Sequence, residues 1–415
     1  MKLSFTAADE QFREEVADWL NDNLRDEFAD IRYRGGPGDE HHFVDERKAW
    51  ERRLADGRWT CIGWPDTWGG RAASIEQQVI FHEEYARAGG PGRMGHIGDT
   101  LTGPTLLAFG SEKQKAKYLP PIRDGVAFWS QGYSEPGAGS DLAAIRTKAV
   151  QDETSGQWKI TGQKVWTSLA HESDFVFVLA RVDRDSSRHH GLGFFLVALD
   201  QPGVTIRPIT QLTGTDEFNE VYFSDARIPD SERLGEPGDG WRVALTTLMN
   251  ERVAIGGGQA PRGSGPISDS VRLWTEMEET RKNPSLRDRL MTLWAKSEVA
   301  RLTNIRASQN RAKGVPGPEG STGKLAFAEN NQDIHEFNVE LLGSQGMLYD
   351  SYSIERSGTA MGLASTQQQF LRSRANSIEG GTSEVMRNIL GERVLGLPGD
   401  VRTDKELPFS EVPNN

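Results

Sequence analysis

From residue 6 to about 127, apolar residues recur at three- and four-residue spacing, in 12–24, 75–88 and 105–118, the period of helices that bury one face. Proline and glycine punctuate them: WPDTWGG at 64–70 reads as a turn between helices, and Pro120-Pro121 as the close of the helical region. From about 128 to 240 the texture changes to short β-branched and aromatic runs separated by Gly, Pro and Asp, among them WKITGQKVWTS, FVFVLARV, GFFLVAL, VTIRPI and VYFSDARI. After Gly240 helical periodicity returns, in 241–255, about 286–312, 323–342 and 352–373. The expected fold is mainly α with a central β domain: an N-terminal helical domain at 1–127, a middle β domain at 128–240 and a C-terminal helical domain at 241–415. Strands and helices do not alternate, and no GxGxxG follows a strand, so a doubly wound nucleotide-binding sheet is not indicated. One linker, GGGQAPRGSGP at 256–266, is flexible by composition.

Length supports the multidomain reading, since 415 residues exceed what one core fills. Charge narrows the partners. With 48 Lys and Arg against 60 Asp and Glu, the net charge of −12 repels phosphate backbones and anionic lipid, which argues against nucleic acid and membranes. An anionic ligand must find local basic groups or helix N-termini. The single cysteine, Cys61, allows no internal disulfide and no Cys-based metal site, and is read as a packing residue in a reducing compartment. No signal-like start and no run of ~18 apolar residues occurs, so the cytoplasm is the expected location.

The candidate chemistry sits in two separated stretches. QGYSEPGAGSDLAAIRTKA at 131–149, followed by ITGQKVWTS at 160–168, resembles the acyl-CoA dehydrogenases, and the order helical, β, helical is similar to theirs over nearly the whole chain. The resemblance implies an FAD cofactor, with Gln131, Tyr133 and Ser134 at one edge of the flavin ring, backbone amides near Ser134 donating to its pyrimidine side, and Trp166 and Ser168 at the opposite edge near N5. Fixed donors there stabilise the charge that the ring gains with a hydride. Ser140 matches a position that contacts the CoA arm. On the residues alone, Gly137 and Gly139 form a turn and Trp166 fills a core.

The second stretch is SIEGGTSEVMRNILGERVLGLPG at 377–399. In many members of the family this loop carries the glutamate that removes the substrate α-proton, one residue before Gly-Thr. Here that position is Gly380, whose backbone N–H can still polarise a thioester carbonyl, and Glu379 lies one residue earlier. Another branch of the family places its base on the first helix of the C-terminal domain. LMNERVAIGG supplies Glu251 in that context, beside Arg252, which is expected at the substrate. The apolar neighbours Leu248, Met249, Val253 and Ile255 would raise its pKa toward that of a working base. Glu251 is the expected base and Glu379 the alternative, each with a plain reading as a paired surface carboxylate.

Two departures from the family concern the far end of FAD. The Arg-x-x-Phe-Gly motif that reaches a neighbouring chain's diphosphate is replaced by APRGSGPISDS, with Arg262 among glycines, and Glu340 stands where a Gln would lie beside that diphosphate. The resemblance therefore implies a paralogous subunit in an α2β2 assembly, like those of actinobacterial enzymes acting on steroid side-chain CoA esters, with a homotetramer as the alternative. The expected activity is α,β-dehydrogenation of an acyl-CoA thioester, with electrons passing to an electron-transfer flavoprotein. A flavin oxidase or monooxygenase on the same fold, or a non-catalytic partner subunit, are the rivals.

Overall fold

The computed structural model describes residues 5–36, 39–257, 261–312, 319–349, 365–399, 401, 404 and 407–412; within these, only the backbone is described at 251–257, 308, 310–312 and 319. Five helices come first: α1 (Ala7–Asn23), α2 (Val44–Asp56), α3 (Ile75–Ala88), α4 (Gly103–Phe109) and α5 (Glu112–Arg123). Capping boxes start three of them, Thr6 with Asp9, Ser74 with Gln77 and Ser111 with Gln114, each satisfying two backbone N–H groups at the helix end. The apolar stripes of α1, α2 and α3 meet in one core that includes Phe12, Val16, Leu20, Trp50, Trp59, Ile80 and Phe81, while Leu106 of α4 and Leu119 of α5 belong to a second core shared with the strands.

Two local expectations change. The window 105–118 is two helices, because the chain turns extended at Gly110 and Ser111 caps a new start. Pro120 and Pro121 lie inside α5: burial of Tyr118, Leu119 and Ile122 holds this last stretch, and the carbonyls of both prolines accept N–H bonds from Asp124, Val126 and Ala127. Helix α2 lies outside the periodic windows because its buried face carries charge. Arg47 donates to the Gly92 and Glu40 carbonyls at 2.8 and 2.7 Å, and Glu51 accepts from Arg93 at 2.8 and 2.9 Å.

Eight strands follow: β1 (Trp129–Gly132), β2 (Lys148–Gln151), β3 (Trp158–Ser168), β4 (Phe175–Arg181), β5 (Leu192–Ala198), β6 (Val204–Ile209), β7 (Phe218–Ile228) and β8 (Arg233–Leu234). They form one sheet in the order β6-β7-β3-β2-β4-β5-β8, with β1 added parallel to β4. Strands β4 and β5 explain the unbroken apolar runs, since both faces are covered. Val176, Val178, Phe195 and Val197 point into a core that the sheet folds around, while Phe177, Leu179, Phe194 and Leu196 pack against α4, α5 and the next helix.

That helix is α6 (Gly240–Gly257), followed by α7 (Pro266–Glu276), α8 (Pro284–Ala312), α9 (Glu319–Leu342), α10 (Thr366–Ser373) and α11 (Ser383–Arg393). Helix α6 is pinned in its N-terminal half: Val243 and Ala244 are fully buried, and Thr247 bonds Thr105 of α4 at 2.9 Å. Helix α9 is the axis of the C-terminal bundle, touching α6, α7, α8, α10 and α11. The tail then returns to the sheet domain, where Phe409 is buried under the Arg181 guanidinium, 3.8 Å from the ring centre, and its N–H donates to Ser186 at 3.0 Å. Cys61 is buried in the core, and burial pushes its thiol up. Among the described residues no helix is long and apolar enough to cross a membrane, and no group of His, Cys, Asp and Glu is placed to hold a metal ion.

The axis helix carries a pH-sensitive element. His335 is buried, its Nδ1 has no partner among the described residues, and burial together with Arg374 lowers its pKa to about 4. Between pH about 6.5 and 4 the unfolded chain binds a proton that the folded chain refuses, so the fold loses stability as pH falls through this window. The loss reaches about 3 kcal/mol at ~1.4 kcal/mol per pKa unit. His335→Leu is expected to flatten the acid limb of a denaturation-midpoint profile there, and an unchanged limb would refute the assignment.

Candidate functional site

Strand β3 has a bulge against β7: the register shifts between Lys164 and Thr167. Trp166 sits at φ 61, in the left-handed region, a conformation that costs a bulky residue on the order of 1–3 kcal/mol. At the bulge the consecutive residues Lys164 and Val165 are both buried and the indole is turned out, 57 % exposed and edge-on to Phe218 at 6.1 Å. Trp166 therefore presents a rigid aromatic plane and does not fill a core.

The two parts of the first stretch meet here. The Val165 N–H donates to the Ser134 carbonyl at 2.9 Å, so the loop after β1 runs beside the Trp166 bulge. Lys164, fully buried, fixes that loop from behind: its Nζ donates to the Tyr133 carbonyl at 3.0 Å and to Glu135 Oε1 at 2.8 Å. Glu135 also accepts from the N–H groups of Arg146 at 2.6 Å and Thr147 at 2.9 Å. Burial pushes its carboxyl up, but Lys164 and these donors outweigh burial and hold it below the usual carboxylate range. Gln131 and Ser134 are half-buried at the loop's edge, Tyr133 is buried, and Ser168 is half-buried at the end of β3. Ser140 is exposed on the adjoining turn, next to Asp141, which Arg188 ties to Asp404 of the tail.

The second stretch arrives from the C-terminal bundle. Gly380 and Gly381 have φ 62 and 98, the region where only glycine is comfortable, and a Cβ on Gly381 would sit 2.6 Å from Met386. Buried Lys324 on α9 holds the loop, donating to the carbonyls of Asn376 at 2.9 Å and Gly381 at 2.5 Å. Among the described residues the Gly380 N–H meets no acceptor. Glu379 is engaged: Oε2 accepts from Arg372 at 3.1 Å and Oε1 from the Asn376 amide at 2.5 Å.

Arg372 is the hub of the region. It also pairs with Glu217 at 2.9 Å, lies 3.9 Å from Glu40, and covers the Phe218 ring at 5.4 Å. Burial opposes its charge, but Glu379, Glu40 and Glu217 outweigh burial and raise its pKa. Through Arg372 and Phe218 the Gly380 loop is joined to Trp166, about two hundred residues away in sequence. Glu251 and Arg252 lie on the backbone of α6, and their side chains lie outside the described residues.

This donor-lined edge with one exposed aromatic plane suits a flat, electron-accepting ring. Gln131, Tyr133, Ser134, Trp166 and Ser168, the residues expected at a flavin ring, lie along the Ser134 loop and β3. The diphosphate end fares differently among the described residues: Glu340 is paired with Arg289, and Arg262 lies 3.8 Å from Glu298 and over the Trp294 ring at 5.0 Å. Lys164, Glu135, Lys324 and Arg372 did not stand out in the sequence. A lysine at an inward position of a strand was the available signal for the first; Arg372 draws its partners from three distant segments and had none.

The acyl-CoA dehydrogenase N-terminal domain matches residues 6–126, the middle domain 130–226 and the C-terminal domain 238–395. The chain is 45% identical to the acyl-CoA dehydrogenase IpdE1 of Mycobacterium tuberculosis over 95% of this chain and 99% of that protein. It is 43% identical to the IpdE1 of Mycolicibacterium smegmatis over the same shares. The solved Tcur3481-Tcur3483 steroid ACAD superposes with a TM-score of 0.80 at 29% identity, covering 96% of this chain and 100% of that one. The ChsE4-ChsE5 complex from Mycobacterium tuberculosis does so with 0.79 at 28%, covering 96% and 100%. The chain belongs to the acyl-CoA dehydrogenase family of oxidoreductases.

Proposed function

We propose that the protein catalyses FAD-dependent α,β-dehydrogenation of an acyl-CoA thioester, with a steroid side-chain CoA ester as the substrate class, and passes the electrons to an electron-transfer flavoprotein. The observation that carries this reading is the junction of the Trp166 bulge, the Ser134 loop and the Gly380 loop in one place. The first two offer the ring-side surface; the third offers a backbone N–H for a thioester carbonyl.

In this reading Glu251, on the pinned helix α6, removes the α-proton. The Gly380 N–H polarises the thioester carbonyl and stabilises the enolate charge that develops. Glu379 cannot take the proton without leaving Arg372 and Asn376, so it positions the loop. Ser140 and Arg252 contact the CoA ester. Bound FAD supplies the acceptor for the hydride that leaves the β-carbon. The steroid substrate class is drawn from the Tcur3481-Tcur3483 steroid ACAD that superposes on this chain.

Adding acyl-CoA esters anaerobically to the flavin-loaded protein tests the reaction. The expected result is bleaching of the flavin absorbance with a product two hydrogens lighter, steroid side-chain esters acting faster than straight-chain ones, and reoxidation by electron-transfer flavoprotein. Rapid reoxidation by oxygen with peroxide release would instead make it an oxidase, and no bleaching with any CoA ester would overturn the reading.

A further inference from the structure

The Lys164–Glu135 pair does more than join β3 to the loop after β1. A buried ion pair gives little net stability over an apolar pair of the same shape, so its presence calls for a second role. The Lys164 ammonium makes a bond that a simple pair lacks, to the Tyr133 carbonyl at 3.0 Å. That carbonyl and the Ser134 N–H belong to one peptide unit, which is trans like every peptide bond among the described residues, so the N–H points away from the ammonium. A cation on the oxygen side draws electron density from the nitrogen side and makes the N–H a stronger donor; along chains of hydrogen bonds such strengthening is roughly 10–30% per bond. The next peptide unit is tied as well, its Ser134 carbonyl accepting from the Val165 N–H at 2.9 Å, so Ser134 is restrained on both sides. Among the described residues no acceptor meets the Ser134 N–H.

We propose that Lys164 is a positioning residue that acts through the Tyr133–Ser134 peptide to strengthen the backbone donor offered to the flavin ring, and so favours the reduced ring. This rests on the flavin placement in the proposed function. Glu135 is the counter-charge that lets the ammonium stay buried, and it is anchored by Arg146 and Thr147.

The reduction potential of the bound flavin, measured in the flavin-loaded protein with whatever subunit it needs, tests the idea. The double variant Lys164→Met/Glu135→Gln keeps the pair's shape without charge. It is expected to reduce the ratio of reduced to oxidised flavin at a fixed poise about tenfold, ~30 mV for a two-electron couple. Glu135→Gln alone removes the counter-charge that keeps the ammonium buried, so Lys164 sheds its proton and the potential should fall as it does in the double variant. A purely structural pair would lower flavin content in both variants and leave the potential of the remaining flavin unmoved, which would overturn the proposal. If Glu135→Gln alone does not fold, the double variant still decides. Trp166→Phe separates the two ideas: it should alter the bound flavin's spectrum. No alteration would remove the flavin from this site altogether, whereas an altered spectrum with an unmoved potential in the double variant would remove only the role of Lys164.

Discussion

Glu251→Gln is expected to lower turnover at least about a hundredfold with bound flavin intact, while Glu379→Gln keeps most of it. Two positions compete for the role of base, and the structure separates their circumstances. The Glu379 carboxylate is held by Arg372 at 3.1 Å and Asn376 at 2.5 Å, on a loop whose next two residues have positive φ. Moving it toward substrate breaks both bonds and leaves Arg372 with only Glu217 and the more distant Glu40. Helix α6, in contrast, is fixed by Val243, Ala244 and the Thr247–Thr105 bond one turn before residue 251, so a carboxylate there is delivered by a rigid element. Steady-state rates with a saturating CoA ester, alongside flavin content, check both variants. Near-normal turnover in Glu251→Gln with loss in Glu379→Gln would make the loop carboxylate the base. For Glu379→Gln the fall that does occur should come from a looser Gly380 N–H, so it should appear in KM as well as kcat.

How much of this was legible before the fold was seen differs by element. Strands β4 and β5 were plain because both of their faces are buried, which writes a continuous apolar run into the sequence. Strand β3 could be bounded at both ends, yet its bulge could not be foreseen, since nothing in KVWTS announces a tryptophan at φ 61. Helix α2 escaped because Arg47 and Glu51 occupy inward positions that a hydrophobic pattern scores as solvent. The same blindness hid Lys164 and Arg372. Their charges are buried because partners from elsewhere in the chain satisfy them, and a pattern of apolar and polar positions holds no information about partners. The glycines of the Gly380 loop were visible as residues, but the reason for them, a left-handed backbone held by Lys324, is a tertiary fact.

The chain expressed by itself is expected to lose FAD on purification, and a paralogous subunit bearing Arg-x-x-Phe-Gly to restore it. FAD is a long ligand that needs a grip at both ends. The flavin ring is expected at the Ser134 loop and the Trp166 plane, whereas at the positions expected near the diphosphate Glu340 is joined to Arg289 and Arg262 lies by Glu298 and Trp294. Recruiting either arginine to a diphosphate means giving up an existing partner. Bidentate contacts from arginine to phosphate are among the stronger hydrogen bonds, about 1.5–3 kcal/mol each, so forgoing two of them weakens binding by some two to four powers of ten at ~1.4 kcal/mol per power. The Tcur3481-Tcur3483 steroid ACAD and the ChsE4-ChsE5 complex, which superpose on this chain, are each named for two components. Native mass spectrometry of the chain alone and of the co-expressed pair decides the matter. The expected pair carries one flavin for every two unlike chains, and a stable homotetramer of this chain with one flavin per subunit would show that it holds both ends of FAD without help.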